Sequence, residues 1–201
     1  MINTIILDIG QVLGDFCWDG FLRNCGYDEE TIQKVGLATV LSNDWAEEDR
    51  GVLSDEELAQ LFTKNDPSVE KEIRSFIENI TNTVKEYDYS ADFVKRLKEY
   101  GYKVYLLSNY GKRNFEYAKE HFKFIQYVDG GVISYQVKHV KPEPEIYEAL
   151  IQKYNIIPSE AVYLDDSSVN LEGAKPYGFY TIQVTDFEEA VEELRDLGIR
   201  V

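Results

Sequence analysis

From Ser90 onward the chain repeats one grammar, and that repetition narrows the fold more than any other feature. A helix carrying Phe93, Val94, Leu97 and Tyr100 ends at Gly101. Tyr102–Leu107, Phe124–Val128, Ala161–Leu164 and Phe179–Val184 then read as strands. Helices are expected between them at Asn114–Phe122, at Glu143–Tyr154 and from about Val169. Thr185 with Glu188 forms a capping box opening a last helix that runs to Leu197. Strands separated by helices cannot pair as hairpins, so the expected fold class is α/β, a parallel sheet with helices on both faces. In such sheets ligands gather outside the carboxyl ends of the strands.

The first strand stands apart from the others. Asn3–Ile9 is a short β-branched run closed by Gly10, and its one charge is Asp8. From Phe16 to about Tyr87 the pattern is helical with nothing strand-like in it. Ser54 and Glu57 form a capping box before Leu58, Leu61 and Phe62. Asp66-Pro67 opens a further helix with Val69, Ile73, Phe76, Ile77 and Ile80 on one face. The segment reads as an all-helical insertion after the first strand.

Charge limits the partners. Against 21 basic residues stand 37 acidic ones, a formal charge of −16, which opposes nucleic acid and anionic membranes. No apolar run approaches the roughly 18 residues of a membrane helix. The opening MINTIILDIG lacks the basic segment of a secretory signal, so a cytoplasmic protein is expected. Cys17 and Cys25 are too few for a disulfide framework and read as buried thiols.

Four strand ends or loops carry polar groups: Asp8, Ser108-Asn109, Lys141 and Asp165-Asp166. Singly, each has an ordinary alternative as a turn, a helix cap or a solvated lysine. Adjacent carboxylates after the apolar run Ala161–Leu164 repel unless a cation or hydrogen-bond donors neutralise them. With oxygen donors only, and His121 and His139 in other segments, the economical cation is Mg²⁺. If Asp8 and Asp166 share it, an anionic substrate becomes acceptable, and Lys141 adds a second positive group. Ser108 and Asn109 suit nonbridging phosphate oxygens. Asp8 would then attack phosphorus and form an acyl phosphate that water hydrolyses.

In order and content these segments resemble the haloacid dehalogenase (HAD) superfamily over nearly the whole chain. IILDIGQVL resembles its first motif, VYLLSN the second, VKPEPEIY the third and YLDDSSVNLEGAKPYG the fourth, with Asp8 and Ser108 100 residues apart. The resemblance implies a Rossmann-like core, residues 1–15 and 88–201, with residues 16–87 as a helical cap. It implies Asp8 as nucleophile and metal ligand, the Gly10 carbonyl and Asp166 as further ligands, and Lys141 as the charge-neutralising lysine. Ser108 and Asn109 match the phosphate-contacting pair, and Asp165 and Asn170 the supporting groups. Arg50-Gly51-Val52-Leu53-Ser54 with the Asp8-x-Gly10 start is most similar to the branch of α-D-glucose-1-phosphate phosphatase and epoxide-hydrolase-related phosphatases. That branch implies an Mg²⁺-dependent hydrolase of small phosphorylated metabolites, sugar phosphates among them.

One departure matters. Most phosphatases of the family place a proton-transferring aspartate two residues after the nucleophile, and here that position is Gly10. Asp15 is a candidate substitute whose ordinary reading is a hinge carboxylate. Trp18 and Trp45 read as core of the insertion, Glu47-Glu48-Asp49 as a solvated helix face, and Lys112 and Arg113 as surface residues or phosphate-steering charges. Two other functions compete: a non-catalytic phosphate-binding module, which Gly10 would explain, and a 2-haloacid dehalogenase, which would not need Asp165-Asp166.

Overall fold

The computed structural model describes residues 1–201. Strand β1 (Thr4–Leu7) and the short β2 (Gly14–Phe16) lead into helices α1 (Trp18–Asn24), α2 (Glu29–Ala38), α3 (Trp45–Arg50), α4 (Asp55–Asn65) and α5 (Glu70–Glu78), then β3 (Val84–Glu86). The alternating part follows as α6 (Ser90–Glu99), β4 (Lys103–Ser108), α7 (Lys112–His121), β5 (Gly130–Ile133), α8 (Ser134–Val137), α9 (Pro144–Tyr154), β6 (Ala161–Asp165), α10 (Ser168–Ala174), β7 (Tyr180–Gln183) and α11 (Phe187–Asp196).

Five strands form one sheet in the order β5-β4-β1-β6-β7, every pair parallel. This is the expected α/β, Rossmann-like architecture. β1 lies at the centre because its Ile5, Ile6 and Leu7 are fully buried and need cover on both faces. Each such side chain contributes about 1.5–3 kcal/mol of burial. Ile5 and Leu7 join one cluster with Phe93 and Leu97 of α6, Phe115 of α7 and Leu194 of α11. Ile6 points the other way, to Ile146, Tyr147 and Leu150 of α9 and Leu171 of α10. A third cluster lies wholly within the insertion, from Leu22 to Ile77. No helix is long and apolar enough to cross a membrane.

Several expectations are corrected. The insertion is not helical to its ends: β2 pairs antiparallel with β3, Gly14 opposite Glu86 and Phe16 opposite Val84, closing its two crossings into a ribbon. Three-residue strands are too short to show a period of two. Phe124–Val128 is not a strand; Lys123–Tyr127 is a 3₁₀ turn, and the chain pairs only at Gly130–Ile133, where two glycines hide the strand signal. The C-terminal helix is capped by Asp186, whose side chain accepts from the Glu188 and Glu189 N–H groups at 2.9 and 3.0 Å, rather than by Thr185. Cys17 and Cys25 are exposed, not buried.

Candidate active site

The sheet register brings the charged strand ends together. Leu7 of β1 sits opposite Leu106 of β4 and Leu164 of β6, so the residues just beyond converge from both neighbouring strands. The Asp8 N–H continues the ladder to the Leu164 carbonyl at 3.0 Å. Position 8 is therefore fixed by backbone pairing before any side-chain contact is made.

Lys141 organises the site. Its side chain is fully buried, and its ammonium reaches Asp165 Oδ2 at 2.6 Å, Asp8 Oδ2 at 3.0 Å and the Leu107 carbonyl at 3.1 Å. Those three contacts use its three protons. Burial works against the charge, yet Asp8 and Asp165 hold the ammonium above its ordinary range. Asn109 fixes the lysine's backbone in two directions: its Oδ1 accepts from the Lys141 N–H at 2.7 Å and its Nδ2 donates to the Lys141 carbonyl at 3.0 Å.

The three aspartates differ. Asp165 is fully buried and accepts from Lys141, from the Tyr163 hydroxyl, from the Ser167 N–H at 2.9 Å and from Asn170 Nδ2 at 3.0 Å. With its oxygens so occupied it holds the lysine in place. Asp8 takes the Ile9 N–H on Oδ1 at 2.7 Å. Burial pushes its carboxyl up to about 7, Lys141 opposing and Asp165 adding to the rise. Asp166 is only partly buried; burial and then Asp165 raise its carboxyl as well. Carboxylate oxygens of Asp8, Asp165 and Asp166 lie within 4.8 Å of one another. Three carboxylates around one lysine leave two negative charges over, and an all-oxygen donor set suits a hard divalent cation such as Mg²⁺.

Ser108 supplies the next polar atom. It ends β4, is fully buried, and its Oγ has no hydrogen-bond partner within the protein. A buried hydroxyl left so costs about 1–3 kcal/mol, which a ligand oxygen would recover. The structure thus gathers Asp8, Asp165, Asp166, Lys141 and Ser108, with Asn109 and Asn170 behind them.

The other candidates stand outside the strand-end cluster. Asp15 sits in the β2–β3 ribbon opposite Lys85 and accepts weakly from Gln11 Nε2 at 3.4 Å. Arg113 is bound to Asp55 at 3.0 Å and to the Ile77 carbonyl at 2.8 Å, a strut between the insertion and α7. Trp45 packs against Phe62, ring centres 5.9 Å apart, and Trp18 covers Gly36.

Glu48 and Asp49 correct the expected solvated face. Glu48 is buried, and both residues line a cavity of about 80 Å³ with Gly10, Trp45, Asn109 and Tyr110. The sequence holds a signal for this. Trp45, Glu48 and Asp49 stand at i, i+3 and i+4, so a helix that packs its tryptophan inward carries both carboxyls with it.

Comparison with known proteins agrees with the geometry. A family model described as haloacid dehalogenase-like hydrolase matches residues 22–178. D-Ribitol-5-phosphate phosphatase of Bacteroides thetaiotaomicron is 35% identical over 109 residues, 51% of this chain and about half (52%) of that protein. Pyrophosphatase PpaX of Bacillus cereus is 28% identical over 191 residues, 92% of this chain and 83% of its own. A HAD family enzyme from Bacteroides thetaiotaomicron, solved in complex with magnesium and inorganic phosphate, superposes with a TM-score of 0.71 at 23% identity, covering 94% of this chain and 98% of its own.

Proposed function

The chain belongs to the haloacid dehalogenase-like hydrolases, and from that premise we propose that it is an Mg²⁺-dependent phosphatase of small phosphomonoesters, sugar phosphates among them, with residues 16–87 as cap over the core. One observation carries the reading. A buried lysine pairs with Asp8 at the end of the central strand, while the unpartnered Ser108 hydroxyl closes the adjacent strand end. The matched span begins at residue 22, so the case for Asp8 rests on geometry.

Substrate phosphate would accept from Ser108 and from the Asn109 backbone. Asp8 attacks phosphorus, its oxygen replacing the ester oxygen, and water then cleaves the aspartyl-phosphate. Lys141 stays charged throughout and stabilises the negative oxygens nearest Asp8. Asp165 and Asn170 keep that lysine aimed. Asp8, Asp166 and the Gly10 carbonyl would hold a magnesium ion, whose charge would offset that of the bound phosphate.

Phosphate release by wild type and Asp8→Asn, with and without Mg²⁺, over a panel of phosphate esters tests this. Wild type is expected to release phosphate only with the metal, and Asp8→Asn to lose at least about 10³-fold in kcat. Equal release from both proteins refutes the role of Asp8. Gly10 favours one second reading, a phosphate-binding module without turnover. Tight Mg²⁺-dependent binding of phosphate by wild type, with no ester cleaved, would select it. Halide release from a 2-haloacid without metal would replace both.

A further inference from the structure

We propose that Asp49, on cap helix α3 beside Glu48, is the proton-transfer residue of this site, doing from the cap what position 10 cannot; the assignment rests on Asp8 as phosphoryl acceptor.

Position 10 leaves space for such a group. A Cβ built on Gly10 meets nothing within 4 Å, and Gly10 and Asp49 line the same cavity with Asn109. Although Asp49 belongs to the cap in sequence, it is fixed to the core in space. Its carbonyl accepts from Ser134 Oγ at 2.6 Å. The next residue, Arg50, forks onto both Glu143 oxygens at 2.8 and 2.9 Å and reaches the Lys138 carbonyl at 3.1 Å. The carboxyl is therefore presented from a clamped turn of helix, as proton transfer at a defined atom requires.

Glu48 shows why a proton is held here. It is only 8% exposed, and its Oε2 finds no N–H or O–H donor. A Cβ at Gly111 would collide with this carboxyl, so glycine there is what lets it approach α7. No lysine or arginine pairs with Glu48 or Asp49. Two neighbouring carboxyls, Glu48 buried and Asp49 partly buried, with no ion-pair partner for either, favour sharing one proton over both being ionised. Burial, followed by the Glu48 charge, pushes the Asp49 carboxyl well up, while burial brings Glu48 to about 7. Lys141 and Asp8 also bear on Asp49, the first lowering and the second raising it, and in this proposal the pair's shared proton is the one Asp49 gives to the departing alkoxide.

The step balances. As Asp8 forms its bond to phosphorus and the ester P–O bond breaks, Asp49 gives its proton to the leaving oxygen, which departs as an alcohol. The Asp49 carboxylate then takes a proton from the water that attacks phosphorus. The acyl phosphate breaks, Asp8 returns as carboxylate, and inorganic phosphate leaves.

Two esters separate this role from a structural one. p-Nitrophenyl phosphate has a leaving group that needs no proton, whereas glycerol 3-phosphate releases an alkoxide that does. With Mg²⁺, Asp49→Asn is expected to lose about 10²–10⁴-fold in kcat on glycerol 3-phosphate. On p-nitrophenyl phosphate it keeps a p-nitrophenol burst within about 5-fold of the wild-type rate, followed by slowed turnover, because only the second step needs the base. Adding Gly10→Asp in the Asp49→Asn background should restore at least about 10-fold on the alkyl ester. Circular dichroism reports folding, and Asp49→Ser takes the place of an unfolded Asn variant. Equal loss on both esters, no loss on either, or wild type that cleaves only the aryl ester overturns the assignment. Wild type inactive on both overturns the role of Asp8 itself, a result no Asp49 variant can produce.

Discussion

Two groups of buried and partly buried carboxyls adjoin the cleft at the strand ends, and they differ in one companion. At the strand ends Asp8, Asp165 and Asp166 gather around Lys141, whose ammonium touches two of them at 2.6 and 3.0 Å. On α3, Glu48 and Asp49 have each other and no ion-pair partner: Arg113, whose charge bears on Glu48, is tied to Asp55 and the Ile77 carbonyl, and Lys141, whose charge bears on Asp49, is bound to Asp8 and Asp165. Burial raises the carboxyls of Asp8 and Asp166 in the first group and of Glu48 and Asp49 in the second. With a lysine at hand the strand-end group can hold negative charge, which a nucleophile needs. Without one, the helix pair is disposed to keep a proton, which the proposed acid needs. Under the proposed function, the group paired with the lysine supplies the nucleophile and the pair without an ion partner supplies the acid.

The largest expected effect comes from deleting that companion. Lys141→Met removes the charge while keeping much of the volume, leaving Asp8 and Asp165 buried and unpaired. Breaking a buried pair in this way costs about 3–5 kcal/mol, and at about 2–4 °C per kcal/mol for a chain of this size the melting temperature should fall by roughly 6–20 °C. Phosphate release should fall with it by at least about 10³-fold. A melting temperature unchanged by this substitution would break the comparison, since the lysine would then not be what separates the two groups.

How far each group was legible in the sequence follows from the same contrast. Asp8, Ser108, Lys141 and Asp165-Asp166 sit at ends of strands or in a loop beside them, and a parallel sheet forces such ends to one edge, so their convergence follows from local pattern. Glu48 and Asp49 reach the cavity only through docking. The acidic run Glu47-Glu48-Asp49 reads as solvated until Arg50 binds Glu143 and Ser134 binds the Asp49 carbonyl, contacts spanning 93 and 85 residues of chain. Short elements failed for a related reason. Three residues of β2 and of β3 show no periodicity, and only their mutual pairing makes them strands. Exposed Cys17 and Cys25 departed from composition-based expectation because both flank α1, a seven-residue helix that buries only Leu22.

An intermediate effect tests the helix pair through stability. Burial raises the Glu48 carboxyl from an ordinary 4.5 to about 7, so the folded chain holds a proton that the unfolded chain gives up more easily. Its favourable contribution is complete below pH 4.5 and is lost as the pH rises through about 7. Wild-type melting temperature should decline across that window, and Glu48→Gln, which cannot ionise, should decline less. The difference between the two curves, about 3 kcal/mol for a rise from 4.5 to about 7, reports the Glu48 carboxyl. Parallel curves would mean that Glu48 does not change charge across that window and that its burial does not set it apart from an ordinary carboxyl.

The smallest effect concerns the clamp. Arg50 and Glu143 are about one quarter and one third exposed, so the pair is worth at most about 1 kcal/mol. Arg50 holds the Glu143 carboxyl down to about 2, and this contribution is present above pH 4.5 and lost as the pH falls toward 2. That window lies on the opposite side of 4.5 from the Glu48 window, so acid and neutral melts separate the two. Arg50→Lys gives up the planar fork onto both Glu143 oxygens while keeping the charge. Loosening α3 moves Asp49 relative to the leaving group without removing its proton. Release from glycerol 3-phosphate should therefore drop a few-fold, while the p-nitrophenol burst stays at the wild-type rate and the melting temperature shifts by no more than about 4 °C. A large loss of stability with both esters slowed alike would instead make the clamp a support of the whole cap, and the contrast between the two carboxyl groups would then owe less to their charges than to how firmly each is held.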